Sequence, residues 1–198
     1  MQDEWPGRAL RSISKRDVIL AIDKVVKRGP SAAVTFWKVC RAFFSWCESR
    51  EDDFLSPARG VKRPAKERSR DRVLDDAELK LTWQAADAAG GAAGALVKLL
   101  ILTGGRRNEM MELARDEIKA DAIELPGERT KNGGPHSIYL TPLMRRVLDS
   151  CPATGRYVLN GTDRPMGDHS SAKERVAPAI RPWTLHDLRR SFASGQGA

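Results

Sequence analysis

The segment from Ser56 to Arg72 constrains the fold most strongly, because its composition disfavours burial in a core. It contains seven basic and two acidic residues, two prolines and few apolar side chains. Proline and charge at this density are typical of extended linkers. The sequence therefore predicts a small domain at residues 1–57, a basic linker at 58–72 and a larger domain at 73–198.

The first domain is predicted to be all-α. Ser14 with Asp17 three residues later indicates a helix start, and Gly29-Pro30 indicates its end. In this helix the apolar residues at helical spacing are Val18, Ile19, Ile22, Val25 and Val26. A second helix, from Ser31, is predicted to bury one face, formed by Phe36, Val39, Cys40, Phe43, Phe44 and Cys47.

The second domain begins with two predicted helices. Asp75 and Glu78 form a capping-box pattern, which predicts a helix that continues to about Ala89. The next helix, about Ala92 to Leu102, is almost entirely apolar and is predicted to be buried. The glycines between residues 90 and 98 lack the G-K-[ST] ending of a phosphate-binding P-loop, so nucleotide binding is not expected there.

A change of hydrophobic period after residue 121 predicts a small sheet. Ala122–Leu125 and Ser137–Leu140 are predicted as short strands, and the sequence Asn-Gly-Gly-Pro at 132–135 as a turn between them. The predicted fold class is therefore mainly α with a small antiparallel β-sheet. A small all-α domain is followed by a mixed α+β domain.

The positive charge is concentrated at the start of the chain. Residues 1–72 hold 17 Lys and Arg against 10 Asp and Glu, a net charge of +7, whereas residues 73–198 hold 17 against 16, a net charge of +1. A localised basic surface suits nucleic acid first and an anionic membrane second, although it could simply keep the protein soluble. We interpret the linker as a strap along DNA phosphates rather than a solvated charge run. Its predicted DNA-binding residues are Arg59, Lys62, Arg63, Lys66, Arg68 and Arg70.

Other features favour a cytoplasmic protein with no membrane partner. No apolar run approaches the roughly 18 residues of a membrane span, and the first residues lack a secretion signal. Cys40, Cys47 and Cys151 cannot all pair, and none forms a C-x-x-C motif. We therefore expect buried thiols rather than metal ligands, and a reducing compartment.

The first motif with chemical meaning runs from Leu102 to Leu113. A buried helix ends at two glycines, and a new helix is predicted to begin at Arg106. Arg106 and Glu109 are three residues apart, so the carboxylate can hold the guanidinium in one orientation. Such a guanidinium at a helix start suits a phosphate, although an Arg–Glu pair alone is commonly structural.

Two further motifs lie downstream. Lys131 precedes the predicted turn, where a lysine by itself is ordinarily just solvent-exposed. Thr184 and Asp187 predict a helix start at about Leu185, which puts His186 in the first turn. Arg189, three residues later, shares the face of His186. A histidine and an arginine that converge on one anion suit phosphoryl transfer.

These motifs together resemble one family. T-G-x-R-x-x-E after an apolar helix, T-K-N-G at a hairpin and H-D-L-R-R late in the chain occur in this order in the tyrosine recombinases, especially integrases of phages and genomic islands. Residues from about 8 to 57 resemble the later helices of the family's core-binding domain. Residues 70–74 with Glu78-Leu79 resemble the start of its catalytic domain. Each motif alone is moderately specific, and their order and spacing make the resemblance strong.

The resemblance implies roles for individual residues. Arg106 and Arg189 would hold the scissile phosphate, and Lys131 would enter the minor groove and protonate the departing 5′-oxygen. His186 would assist proton transfer, and Glu109 would support Arg106. Strand exchange would pass through a 3′-phosphotyrosyl link at double-stranded attachment sites, with no metal or other cofactor. The complete enzyme would act as a homotetramer on DNA, whereas we expect this chain to be a monomer.

The sequence departs from the family in one respect. In the family the nucleophilic tyrosine follows the H-x-x-R motif, but Tyr139 and Tyr157 both precede His186. We therefore expect a chain shortened at its C-terminus and also at its N-terminus, without a nucleophile and inactive as it stands. The alternative is a non-catalytic DNA-binding remnant or regulator that occupies recombination sites. A helix-turn-helix repressor is less favoured, because it does not explain the buried helix, the hairpin and the last motif together.

Overall fold

The computed structural model describes residues 5–66, 71–167 and 169–195. The chain divides into two units, Met1–Arg70 and Asp71–Ala198. The first is helical, and the second is mainly helical with a two-stranded antiparallel sheet, as the sequence predicts. Within the ranges given above, no helix combines the length and apolarity needed to cross a bilayer.

In the first unit, a short 3-10 turn at Leu10–Ser12 precedes α1, Lys15–Val26, and α2, Pro30–Glu48. The predicted capping box of α1 forms. The Ser14 hydroxyl accepts from the Asp17 N–H at 3.2 Å, and the Ser14 N–H donates to the Asp17 carboxylate at 2.8 Å. Hydrogen bonds from Arg8 and then from Ser14 lower the pKa of Asp17. The helix start is thus fixed by residues adjacent in sequence.

The core of the first unit is narrower than the hydrophobic pattern predicts. It contains Val18, Ile22, Cys40, Phe44, Cys47, Phe54, Ala58 and Val61. Val39 and Phe43 are instead 45% and 39% exposed, so their predicted burial is wrong. Ile19 and Val26 of α1 are also exposed, at 40% and 43%. Helix α1 packs on α2, and the segment from Phe54 to Val61 completes this core. The apolar residues of α1 and α2 that lie beside their inward faces therefore remain exposed.

The basic segment also differs from the expected linker. Ala58 and Val61 are buried in the first core, and the Trp37 indole N–H donates to the Val61 carbonyl at 3.0 Å. These apolar residues, three positions apart, face inward and leave the neighbouring charges outside. The exposed charges are Arg59, Lys62, Arg63 and Lys66. Arg68 and Arg70 lie outside the described residues.

The second unit is built around one apolar helix. Its elements are α3, Asp76–Ala89; α4, Gly91–Thr103; α5, Arg107–Met111; β1, Ala122–Leu125; β2, His136–Tyr139; α6, Pro142–Asp149; α7, His169–Arg175; and α8, Leu185–Gly195. Short 3-10 turns occur at Arg115–Glu117 and Gly127–Arg129. Helix α4 packs against α3, α5, α6, α7 and α8, so burial of this segment is confirmed. Helices α6 and α7 were not predicted.

Lys98 is the charged residue of the apolar helix α4. Its ammonium group forms an ion pair with Asp87 of α3 and lies 5.4 Å from the centre of the Trp83 ring. A lysine whose side chain is only 19% exposed needs such partners, because an unpaired charge is costly away from water. The charge therefore joins α3 to α4 without interrupting the core.

The two strands pair in the antiparallel register Ala122↔Tyr139 to Leu125↔His136. The predicted bounds of β1 agree with the structure, and those of β2 are displaced by one residue. Residues 126–135 connect the strands and include the 3-10 turn, so the connection is longer than a tight hairpin. Leu125 is buried and His136 is exposed, which leaves the connection at the solvent edge of the sheet.

Candidate functional site

A glycine turn between α4 and α5 packs against α8 and is hydrogen-bonded to it. Gly104 has a left-handed backbone with φ of +56°, a conformation that costs side-chain-bearing residues energy. The Phe192 ring occupies the space beside it, since a Cβ on Gly104 would lie 2.3 Å from Phe192 Cδ1. Arg189 Nη1 donates to the Gly104 carbonyl at 2.6 Å. Glycine is therefore required at this position both for conformation and for space.

Arg106 follows this turn and is held by Glu109, as the sequence predicts. The Arg106 N–H donates to Glu109 Oε2 at 2.8 Å, and Nη1 donates to Oε1 at 2.7 Å. Glu109 is only 4% exposed, whereas the side chain of Arg106 is 35% exposed. The guanidinium is thus fixed on one side and open to solvent on the other. Arg106 caps α5, which begins one residue later than predicted.

Lys131 lies in the connection between the strands. The Gly133 N–H donates to the Thr130 carbonyl at 3.2 Å, which makes Lys131 the second residue of a four-residue turn. The Thr130 hydroxyl donates to the Gly134 carbonyl at 2.6 Å. These bonds fix the backbone on both sides of Lys131, whose side chain is exposed.

The last motif begins α8 at Leu185, as predicted. The Thr184 N–H donates to the Asp187 carboxylate at 2.8 Å, so the helix start is capped. His186 in the first turn is exposed, and Arg189 one turn later is partly buried. Asp187 and Leu188 are buried on the opposite side. This face of α8 therefore presents a histidine and an arginine outward.

One cleft of about 1090 Å³ is lined by all four candidate residues, Arg106, Lys131, His186 and Arg189. The other charged or aromatic residues that line it are Arg107, Glu109, Glu128, Arg129, Lys173, Glu174 and Trp183. Basic side chains outnumber acidic ones, and Glu109 is already engaged by Arg106. An electropositive cleft of this kind attracts an anion, and its volume accommodates more than a single phosphate group.

Neither tyrosine of the chain is among the residues that line the cleft. Tyr139 lies on β2 with 75% of its surface exposed. Tyr157 is partly buried in isolated β-bridges with Ala114 and Thr162. The described part of the chain therefore gathers the four candidate residues but brings no tyrosine to them.

Sequence reasoning missed Arg129 and Lys173, which also line the cleft. Arg129 is only two residues before Lys131, a proximity that could have drawn attention to it. Lys173 lies on the unpredicted α7, with its ammonium group 5.7 Å from the centre of the Trp183 ring. Its place in the cleft depends on the packing of α7, which no local motif indicates.

The fold is shared with several DNA-recombining proteins of known structure. Lambda integrase, in a dimer bound to a COC′ core site, matches 96% of this chain and 59% of its own with a TM-score of 0.68 and 18% identity. The Tn1549 transposon integrase in complex with circular intermediate DNA matches 99% and 76% with a TM-score of 0.63 and 12% identity. XerH site-specific recombinase bound to difH matches 95% and 60% with a TM-score of 0.60 and 14% identity.

These similarities are structural. No family model and no curated protein matches the sequence. The chain spans 59% of the length of lambda integrase in the dimer complex, so it corresponds to part of that protein. The matched part includes the small helical unit and most of the larger one, because at least 95% of this chain is covered in each comparison given. The chain therefore has the fold of the tyrosine recombinases.

Proposed function

We propose that this chain binds double-stranded DNA and activates one backbone phosphate, as part of a site-specific tyrosine recombinase. The observation that carries the proposal is the meeting of Arg106, Lys131, His186 and Arg189 in one electropositive cleft. These residues are remote in sequence. Ordinary solvent exposure could explain each charged side chain alone, but it does not explain why all four line the same cleft. The shared fold supports the same conclusion, since the similar structures hold core-site, circular-intermediate and difH DNA.

In this function Arg106 and Arg189 hold the non-bridging oxygens of the scissile phosphate. The pentavalent transition state carries more negative charge than the phosphodiester, so preorganised guanidinium groups stabilise it preferentially. Glu109 fixes the guanidinium of Arg106, and the Gly104 carbonyl fixes that of Arg189. Loss of one such donor is expected to lower the cleavage rate about 10²–10³-fold in the complete enzyme.

The reaction is a transesterification. A tyrosine hydroxyl loses its proton to a base or to water as its oxygen forms a bond to phosphorus, the P–O5′ bond breaks, and the 5′-oxygen leaves with a proton. Lys131 supplies that proton, and His186 assists proton transfer at the same phosphate. General acid catalysis of this kind contributes about 10²–10⁴-fold to a rate. The phosphotyrosyl bond retains the energy of the phosphodiester, so a second 5′-hydroxyl can reverse the step without metal or nucleotide.

The tyrosines favour a second candidate function for the chain by itself. Tyr139 and Tyr157 do not line the cleft, so a chain that carries only these two would hold DNA without cutting it. Such a protein would act as a non-catalytic occupant or regulator of recombination sites. Both functions use the same contacts with phosphate and differ in whether a covalent link forms.

We further propose a monomer in the absence of DNA, a tetramer of the complete enzyme on DNA, and action in the cytoplasm. The basic residues of the first unit, Arg59, Lys62, Arg63 and Lys66, would contact additional phosphates together with Arg68 and Arg70. A recombinase must hold a long duplex while exchange proceeds, and phosphate contacts supply most of such affinity.

DNA binding tests the proposal directly. Fluorescence anisotropy with a labelled 30-base-pair duplex would be measured at several salt concentrations for the wild type, Arg106→Ala, Arg189→Ala and the double variant. We expect the slope of log K against log salt to fall by about 0.9 for each phosphate that is no longer neutralised. Arg145→Ala removes an exposed arginine of the same unit outside the cleft and serves as the control. Equal affinity and slope in the double variant and the control would contradict the proposal.

A nicked suicide substrate separates the two candidate functions. Cleavage near the nick would release a short fragment and trap any covalent protein–DNA adduct, which denaturing electrophoresis detects. We expect binding without an adduct from the 198-residue chain. An adduct that disappears in Tyr139→Phe or Tyr157→Phe would instead identify a nucleophile within the chain and exclude the non-catalytic function.

A further inference from the structure

Arg129 connects the turn that carries Lys131 to helix α5. Its Nη2 donates to the Glu109 backbone carbonyl at 3.1 Å, and its Nη1 forms an ion pair with Glu117. Nη2 also lies 3.8 Å from Glu112 Oε2. A single guanidinium therefore joins the loop between β1 and β2 to α5 and to the 3-10 turn at Arg115–Glu117.

The connection that carries Lys131 needs an external anchor. Strand pairing ends at Leu125↔His136, and residues 126–135 extend beyond it. The bonds from Gly133 to Thr130 and from Thr130 to Gly134 run within this loop. They determine the shape of the loop, but they do not fix it against the cleft wall formed by α5. The contacts of Arg129 do so from a point two residues before Lys131.

The anchor itself is largely buried and hydrogen-bonded. Glu117 is 7% exposed, and its Oε2 also accepts a hydrogen bond from the Ala114 N–H at 2.9 Å. The side chain of Arg129 is 20% exposed. Charge-assisted hydrogen bonds in such partly dehydrated surroundings are stronger than exposed ones. Because both terminal nitrogens of Arg129 are engaged, this residue is better suited to holding the loop than to binding phosphate.

We propose that Arg129 is a positioning residue that sets the location of Lys131 relative to Arg106. The inference rests on the proposed function, because the position of Lys131 matters only if Lys131 is the proton donor. The peptide unit that Arg129 contacts belongs to Glu109, the residue that holds Arg106. Arg129 therefore links the proton donor and one phosphate-binding arginine through a single residue of α5.

Amide hydrogen exchange without DNA tests the anchoring. In Arg129→Gln we expect exchange at residues 127–134 to become about tenfold faster or more, while α8 is unchanged. Arg129→Lys, which can keep the ion pair with Glu117 but cannot reach both acceptors, is expected to be intermediate. Arg145→Gln is the control. Unchanged exchange in the loop of Arg129→Gln, or equal acceleration throughout the second unit, would overturn the inference.

DNA affinity tests whether Arg129 acts through Lys131. We expect Lys131→Ala to weaken duplex binding about tenfold at low salt in the otherwise native chain. In the Arg129→Gln background the same substitution should weaken binding less than about threefold, because the lysine is no longer held in place. Arg189→Ala should have the same effect in both backgrounds. A full effect of Lys131→Ala in the Arg129→Gln chain would overturn the inference.

The two proposals fail in different ways. If Lys131→Ala and Arg189→Ala bind DNA as the wild type does, the proposed function is contradicted, and the exchange measurement still decides whether Arg129 anchors the loop. If both variants lose affinity but Arg129→Gln changes neither exchange nor coupling, the proposed function stands and the positioning role is wrong.

Discussion

Arg189 Nη1 donates a hydrogen bond of 2.6 Å to the carbonyl oxygen of Gly104, a residue 85 positions earlier. This bond joins α8 to the turn that precedes Arg106. Arg106 and Arg189 therefore do not take their positions independently, because displacement of the turn would move both. Phe192, on the same helix, packs against the same glycine and reinforces the contact.

Gly104→Ala is expected to destabilise the second unit more than Gly133→Ala. Both glycines have positive φ, which costs alanine about 1 kcal/mol at either position. At Gly104 the new methyl group would also overlap Phe192, and such overpacking costs about 1–3 kcal/mol more. No atom lies within 4 Å of the corresponding position at Gly133. Urea unfolding measures both destabilisations, and equal values would show that the space beside Phe192 is unimportant.

Arg106→Ala is expected to reduce stability as well as DNA binding. It leaves the buried Glu109 carboxylate without its guanidinium, and an unsatisfied buried group costs about 1–3 kcal/mol. Adding Glu109→Gln should recover part of this stability, with a coupling free energy of about 0.5–3 kcal/mol in a double-mutant cycle. Arg107→Ala removes the next arginine, whose Nε contacts the exposed Asn108, and should have a smaller effect. Strict additivity in the cycle would contradict the interaction.

The basic segment is expected to contribute to the salt dependence of DNA binding. The test variant carries four alanines, at Lys62, Arg63, Lys66 and Arg68. The control carries four alanines at basic residues outside the cleft, at Lys119, Arg145, Arg146 and Arg164. We expect the test variant to flatten the slope of log K against log salt by about 0.9 for each phosphate that the segment neutralises in the wild type. Identical slopes for the two variants would show that this segment does not bind DNA phosphates.

Stability is expected to decrease above about pH 9 because of Cys40. Burial raises the pKa of this thiol to about 11 from an ordinary value of 9.0. The unfolded chain can therefore ionise the thiol at a pH where the folded chain cannot, so stability is present below pH 9 and is lost as the pH rises towards 11. Urea unfolding between pH 7 and 10.5 measures this change, and Cys40→Ala should remove part of it. At pH 8 native Cys40 should also resist alkylation, because thiolate is the reactive form.

Helix starts were predictable because their signals are local. Ser14, Asp75 and Thr184 each precede an acidic residue at the third position, and all three patterns correspond to helix starts in the structure. A different local signal stands before α6, where Thr141 is followed by Pro142 at the first helical position and its hydroxyl accepts from the Met144 N–H. Capping is encoded within four residues, so the sequence alone can reveal it.

Burial was less predictable because it depends on which surfaces meet. Phe43 belongs to the apolar stripe of α2 but stays 39% exposed, whereas Val61 lies among charges and is buried. Neither outcome follows from helical spacing, since the segment that completes the first core carries no regular hydrophobic period. The resemblance to tyrosine recombinases implies that Arg106, Lys131, His186 and Arg189 act at one phosphate, and in the structure all four line one cleft. The contacts of Arg129 were not predicted, because they join three separate segments.

Glu109 uses its two oxygens for two different purposes. Oε2 accepts from the Arg106 N–H at the start of α5, and Oε1 accepts from the Arg106 side chain. Whatever this protein does with DNA, it needs a properly started helix and a neutralised buried carboxylate at this position. Selection for foldability alone would therefore favour the observed pose of Arg106, with or without a role for its guanidinium in catalysis.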